Sequence, residues 1–214
     1  MRLLTILMAL ALIAPVAMAQ QTVTYGWEDG VGTALGVYGN VGGTVNVGDF
    51  AHTGDHSLYT WEEPLGSTPQ VYLAVVSGLA VGDIVDVDCW VYDDTPDPVT
   101  YPRFRLWGHY CAGDINDYAG TASGLGPYTT GIGWENIADS WTFGVSGSPD
   151  PDAAGLVIEF RLYSGSDVVI PDETDTWVDD ITITVPDYAI VTFPNGEPVA
   201  TEDASWSGVK ALYR

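Results

Sequence analysis

Ile84-Val85-Asp86-Val87-Asp88-Cys89-Trp90-Val91-Tyr92 is the stretch on which the fold turns. Apolar Val85, Val87, Cys89 and Val91 alternate with Asp86, Asp88, Trp90 and Tyr92. Successive side chains of a β-strand point to opposite faces, so the run reads as a strand with one face in a core and one turned away from it. Two further runs repeat the pattern. In 103–110, Phe104, Leu106 and Tyr110 look inward and leave Arg103, Arg105, Trp107 and His109 together; in 156–163, Leu156, Ile158, Phe160 and Leu162 oppose Val157, Glu159, Arg161 and Tyr163.

Outward from these runs, similar segments rich in Val, Ile, Thr, Tyr and Trp occupy 22–28, 57–62, 71–76, 83–92, 140–145 and 177–185, separated by clusters of Gly, Pro, Asp and Ser. Such punctuation predicts strands between turns. The 25 Gly and 13 Pro argue against long helices, and none is predicted before the C-terminal segment. A chain carrying 8 Trp, 12 Tyr and 5 Phe also has the apolar payload to fold, despite a formal net charge of −23.

Residues 1–19 have the layout of a cleavable signal peptide. Arg2 precedes an apolar run through Ala14, and Ala17-Met18-Ala19 supplies the small-residue cleavage pattern. The run is shorter than the roughly 20 residues of a membrane span, so an exported protein, secreted or held at the cell surface, with no membrane span after cleavage is expected. Only six Lys or Arg face 29 Asp or Glu. Without a basic stripe to neutralise phosphates, nucleic acid is excluded as an expected partner. Strong acidity suits an extracellular domain that must stay soluble.

The three outward faces share aromatics and charges: Trp90 and Tyr92; Arg103, Arg105 and Trp107; Glu159, Arg161 and Tyr163. Together they read as one candidate ligand platform. Sugar rings offer apolar C–H faces to aromatic side chains and hydroxyls to fixed donors and acceptors. The competing reading is an ion-paired, solvated face. For catalysis there is no G-x-S-x-G, H-E-x-x-H or P-loop, and His52, His56 and His109 make no metal set. Glycoside hydrolysis requires two carboxyls, for which Asp88 and Glu159 are the candidates. A non-catalytic domain is expected.

Cys89 and Cys111 are the only cysteines, and an exported chain favours pairing them. Cys89 shares the face of Val87 and Val91, whereas Cys111 is in phase with Arg105 and Trp107. A disulfide therefore needs a bulge or turn near Gly108, and two separate thiols are the alternative.

Three segments carry a resemblance: Gly26-Trp27-Glu28-Asp29-Gly30; the loop from Ala51 through Gly54-Asp55 to Leu58, with Val76-Ser77-Gly78 and the strand ending at Trp90; and Trp177-Val178-Asp179-Asp180-Ile181-Thr182-Ile183. Over roughly 22–185 the chain resembles galactose-binding-like jelly-roll modules, among them many carbohydrate-binding modules. The resemblance implies an all-β, antiparallel jelly-roll sandwich over 20–185 that binds a polysaccharide or glycan. It also implies a structural calcium held by Glu28, Asp55 and Asp179. Asp179 alternates in phase with Trp177, Ile181 and Ile183 and is expected to point inward, where a carboxylate needs partners.

Residues 186–214 read as a linker, through Pro194-Asn195-Gly196-Glu197-Pro198, and a tail. The tail, Trp206-Ser207-Gly208-Val209-Lys210-Ala211-Leu212-Tyr213-Arg214, resembles short endings of some exported bacterial proteins. Residues 204–214 are a candidate for cell-surface attachment or self-association, and a filament or surface subunit is the alternative function.

Overall fold

A computed structural model describes residues 19–48, 50–93, 102–164, 174–195 and 198–199. The signal peptide read at 1–19, apart from Ala19, and the tail read at 204–214 lie outside the described residues. Strands follow in chain order: β1 (Gln20–Tyr25), β2 (Gly36–Tyr38), β3 (Val41–Val47), β4 (Ser57–Glu62), β5 (Gln70–Ser77), β6 (Ile84–Asp93), β7 (Arg103–Cys111), β8 (Tyr118–Ser123), β9 (Gly133–Thr142), β10 (Ser148–Pro149), β11 (Gly155–Tyr163), β12 (Thr176–Pro186), β13 (Ile190–Thr192) and β14 (Pro198–Val199).

The pairings are antiparallel and form two sheets. The first, sheet A, runs β3-β4-β12-β6-β9, with β1 on the second half of β12. The second, sheet B, runs β10-β8-β7-β11-β5-β13-β14, with β2 also on β5. Between them lies one apolar core that includes Trp27, Trp141, Phe104, Phe160 and Tyr110. The alternation in β6 is as expected: Val85, Val87, Cys89 and Val91 are buried, while Ile84 and Asp86 are exposed. Trp141 of sheet A closes against Gly108 of sheet B, where an added Cβ would stand 3.1 Å from the indole. A larger residue there would push the sheets apart. Trp141 Nε1 donates to Ser123 O at 2.8 Å, so the indole brings no orphan donor into the core.

One boundary and several strands differ from the sequence reading. The sandwich does not stop at residue 185, because β13 pairs with β5 and brings Ala189, Val191 and Phe193 into the core. Strands β2, β3 and β8 were not legible as strands, being Gly-rich or short on bulky apolar residues. Among the described residues no helix is long and apolar enough to cross a membrane.

The cysteines stay apart as free thiols. Pairing of β7 with β11 continues in register from Arg103 to Cys111. No phase change intervenes, and Cys111 remains on the outer face of sheet B with Tyr72 and Val157, while Cys89 sits in the core. The expected disulfide is corrected on that ground. Burial raises the pKa of both thiols and makes them poor nucleophiles.

Candidate functional site

The single platform divides into two, because β6 belongs to sheet A and β7 and β11 to sheet B. Trp90 and Tyr92 are therefore on the opposite side of the molecule from Arg103, Arg105, Trp107, Glu159, Arg161 and Tyr163. Alternation tells which residues leave the core, not through which sheet they leave. The same separation parts Asp88 from Glu159, so they cannot act as an acid and base across one cleft.

On sheet B, antiparallel register sets Trp107 opposite Glu159, Arg105 opposite Arg161 and Arg103 opposite Tyr163. Glu159 is fully buried yet ionisable, and its two oxygens are divided between partners. His109 Nδ1 lies 2.5 Å from Oε1, and Arg161 Nε donates to Oε2 at 2.6 Å. These three form the base of a cleft of about 500 Å³ whose walls include Tyr38, Tyr72 and Tyr118. Tyr72 opposes Glu159 across the β5–β11 pair; its phenol pKa is pushed up to about 12 by burial first and then by the Glu159 charge, so it remains a hydrogen-bond donor. Beside the cleft, guanidinium groups lie over aromatic faces: Arg161 over Trp107 at 4.1 Å, Arg105 over Tyr128 at 4.7 Å, and Arg103 over Tyr128 at 4.5 Å. Chemically this is a groove with apolar walls and a few fixed polar groups, the usual composition of a small-ligand or sugar site. Glu159 is the only carboxylate among the described residues lining it.

On sheet A the outer face carries a belt of eight rings in continuous contact. From the β4 edge it passes through Trp61, Tyr59, Trp177, Phe50, Tyr92 and Trp134 to His52 and Trp90, with neighbouring centroids 3.8–5.7 Å apart. The rings meet at mixed angles: Phe50 stands at 86° to Tyr92 and Tyr92 at 84° to Trp177, while Phe50 stacks on Trp134 at 18° and His52 on Trp90 at 12°. The sequence reading found only two of the eight. Trp61 rests where β3 has Gly42 and Gly43, since a Cβ at either would lie under 2.5 Å from the indole.

Trp177 joins the belt through a bulge. Trp177 pairs with Tyr92 and Val178 with Val91, but the register shifts between Asp179 and Thr182, and Asp180 takes a left-handed φ of 46°. One extra residue reverses the alternation. Upstream, Val178 faces the core and Trp177 faces out; downstream, Ile181 and Ile183 face the core. Asp179 is buried as expected, though not in phase with Trp177.

The acids read as calcium ligands hold the loop that feeds the belt. Asp179 Oδ2 accepts His52 N at 2.8 Å and Thr53 N at 3.2 Å, and Oδ1 accepts Asp180 N at 2.7 Å. Glu28 Oε1 accepts Asp55 N at 3.0 Å and His56 N at 2.9 Å. Asp180 takes Thr53 Oγ1 and His52 Nδ1, each at 2.8 Å. Calcium needs six to eight oxygens turned toward one point. Here Glu28 and Asp179 are turned to amide donors, Asp55 contributes its backbone N–H, and among the described residues no three His, Cys, Asp or Glu form a metal group. As arranged, the three residues do not fit calcium. Desolvation is the largest influence on Asp179 and outweighs the three amides, lifting its pKa to about 6.

No protein-family model and no curated protein matches the sequence. Solved structures of similar shape do exist. The CBM22-1 xylan-binding domain of Paenibacillus barcinonensis Xyn10C is 16% identical, with 79% of this chain and 97% of that one covered at a TM-score of 0.48. Its CBM22-2 domain is 18% identical, with 76% and 98% covered at 0.49. An adhesin domain of the Lys-gingipain of Porphyromonas gingivalis is 13% identical, with 76% and 97% covered at 0.42. The chain itself is an all-β sandwich of two antiparallel sheets.

Proposed function

We propose that the protein is an exported, non-catalytic domain that binds a polysaccharide or glycan chain in the cleft of sheet B. The observation that carries this reading is the cleft's composition: Tyr38, Tyr72 and Tyr118 around a buried Glu159 held by His109 and Arg161. Aromatic walls supply stacking surface, and the pre-oriented charged base supplies hydrogen bonds whose directions are fixed before the ligand arrives. With one carboxylate among the described lining residues, the cleft binds without the second group that hydrolysis requires. Isothermal titration against a panel of soluble xylan, β-glucan, mannan and galactan tests it. Binding to at least one polymer, lost in Glu159→Gln and Tyr72→Ala but kept in Trp134→Ala, is expected; loss in Trp134→Ala instead would move the site to sheet A.

The belt favours a second reading, self-association. Its rings mix edge-to-face and stacked contacts, leaving an irregular apolar relief rather than one flat stacking surface, and Phe50 at its centre is 36% exposed. A partner that buries such relief must be complementary in shape, as a second copy of the same belt can be. Light scattering on the mature chain, with and without residues 200–214 and with Trp134→Ala, separates belt contacts from tail contacts.

A further inference from the structure

Between residues 3 and 209 the sequence has three cations, Arg103, Arg105 and Arg161. All three lie on the outer face of two adjacent strands, β7 and β11, and Arg105 stands directly opposite Arg161. In a chain with 29 acids they would be spread among carboxylates if surface pairing were their purpose. Instead Arg161 takes Glu159, which it shares with His109, and Arg105 makes no ion pair with any described residue. Arg105 is only 9% exposed. Among the described residues its one hydrogen bond is to the carbonyl of Gly124, and its Nε, like the Nε1 of Trp107 next to it on the same face, is a buried donor without an acceptor. A buried cation held by one carbonyl and the faces of Trp107 and Tyr128, with no described carboxylate against it, is costly, and an apolar residue of similar size would cost less. Two such donors beside an unbalanced positive charge match the chemistry of an anion.

We infer that the Arg105–Arg161 row, at the end of the cleft, takes an anionic substituent of the bound glycan, a carboxylate or a sulfate ester. This rests on the cleft being the glycan site. Along β11 the outward residues run Val157, Glu159, Arg161, Tyr163, so a chain lying parallel to the strands passes from Glu159 at the base of the cleft onto the row. Guanidinium groups match such oxyanions with paired, charge-assisted hydrogen bonds. The protein's net charge of −23 sets the density of substituents. Charges beyond about 8 Å are screened at physiological ionic strength, so one acidic group meets the row while a densely charged polymer meets the acidic surface around it. The preferred ligand is a neutral backbone with sparse acidic groups.

The experiment takes a neutral polymer that binds the full mature chain and compares it with two derivatives at low substitution, one oxidised to uronate and one sulfated. Titration is done in 0.05 and 0.5 M NaCl. The expected result is about tenfold tighter binding of one derivative in low salt, the worth of one good charged contact, with the advantage lost in high salt and the derivative identifying the anion. In Arg105→Gln the ratio of acidic to neutral affinity falls to near one. If that variant does not fold, the salt dependence of the wild-type ratio decides. Equal or weaker binding of both derivatives, or a preference that survives high salt, overturns this inference and leaves the glycan cleft standing. No binding to any polymer overturns both.

Discussion

The two outer faces use aromatics in opposite ways. On sheet A eight rings touch one another, and charges sit at the margin in the loop at 50–56. On sheet B rings touch guanidinium groups, and a carboxylate is buried beneath them. Apolar relief of the first kind loses little when one ring is trimmed, because its neighbours still share the surface. A buried charge network fails as a unit when one member goes.

That difference is sharpest in Glu159→Ala, which strands Arg161 and His109. Loss of about 3–5 kcal/mol of stability is expected by denaturant titration, together with loss of binding. Asp88→Ala on sheet A, which removes one hydrogen bond to Asn136, should stay within about 1 kcal/mol. Comparable losses for both would show that the faces do not differ as described. Trp177→Ala comes next, at about 2 kcal/mol, less than the 3–5 of a fully buried aromatic, and it should leave cleft affinity unchanged.

The loop beneath the belt gives a pH test. Folded Asp179 titrates near 6, above its ordinary value of 3.8. Between those values the native state holds more protons than the unfolded chain, so stability falls as pH rises through that window and is highest below it. A falling Tm from pH 4 to 7 is therefore expected, and its slope should flatten in Asp179→Asn against the background of the other acids. In the same assay millimolar calcium separates capping from coordination: capping predicts no shift, and a rise of several degrees would mean that Glu28, Asp55 and Asp179 rearrange around the ion. The smallest effect belongs to the cysteines. A reductant should leave Tm unaltered, and thiol titration in denaturant should return both Cys89 and Cys111.

The sequence made the core legible and its exits only half so. Val85, Val87, Cys89 and Val91, or Leu156 through Leu162, announce burial by period alone. Trp90 and Arg105 announce only that they leave the core. Their division between sheets depends on strand order, a long-range property that no local period contains. Trp177 was assigned inward because the bulge at 179–180 has no signature beyond two adjacent acids. Phe50 and His52 reach the belt from a loop, where alternation says nothing. Glu28 and Asp179 were read as calcium ligands, and amide donors and a metal ion make the same demand on a carboxylate. Arg103, Arg105 and Arg161 could have been weighed more heavily, since their scarcity was visible in composition.

The position of β12 also governs the order in which the protein can be made. The last long strand of the chain lies at the centre of sheet A, between β6 on one side and β4 and β1 on the other. Gln20 pairs with Pro186 across almost the whole domain. Pairings so distant in sequence form slowly and only after both partners exist. A nascent chain thus cannot complete its sandwich until residue 186 is free, which postpones folding to the end of its synthesis. A chain ending before Thr176 should accordingly show no cooperative unfolding transition, and one that did would place the folding nucleus in sheet B.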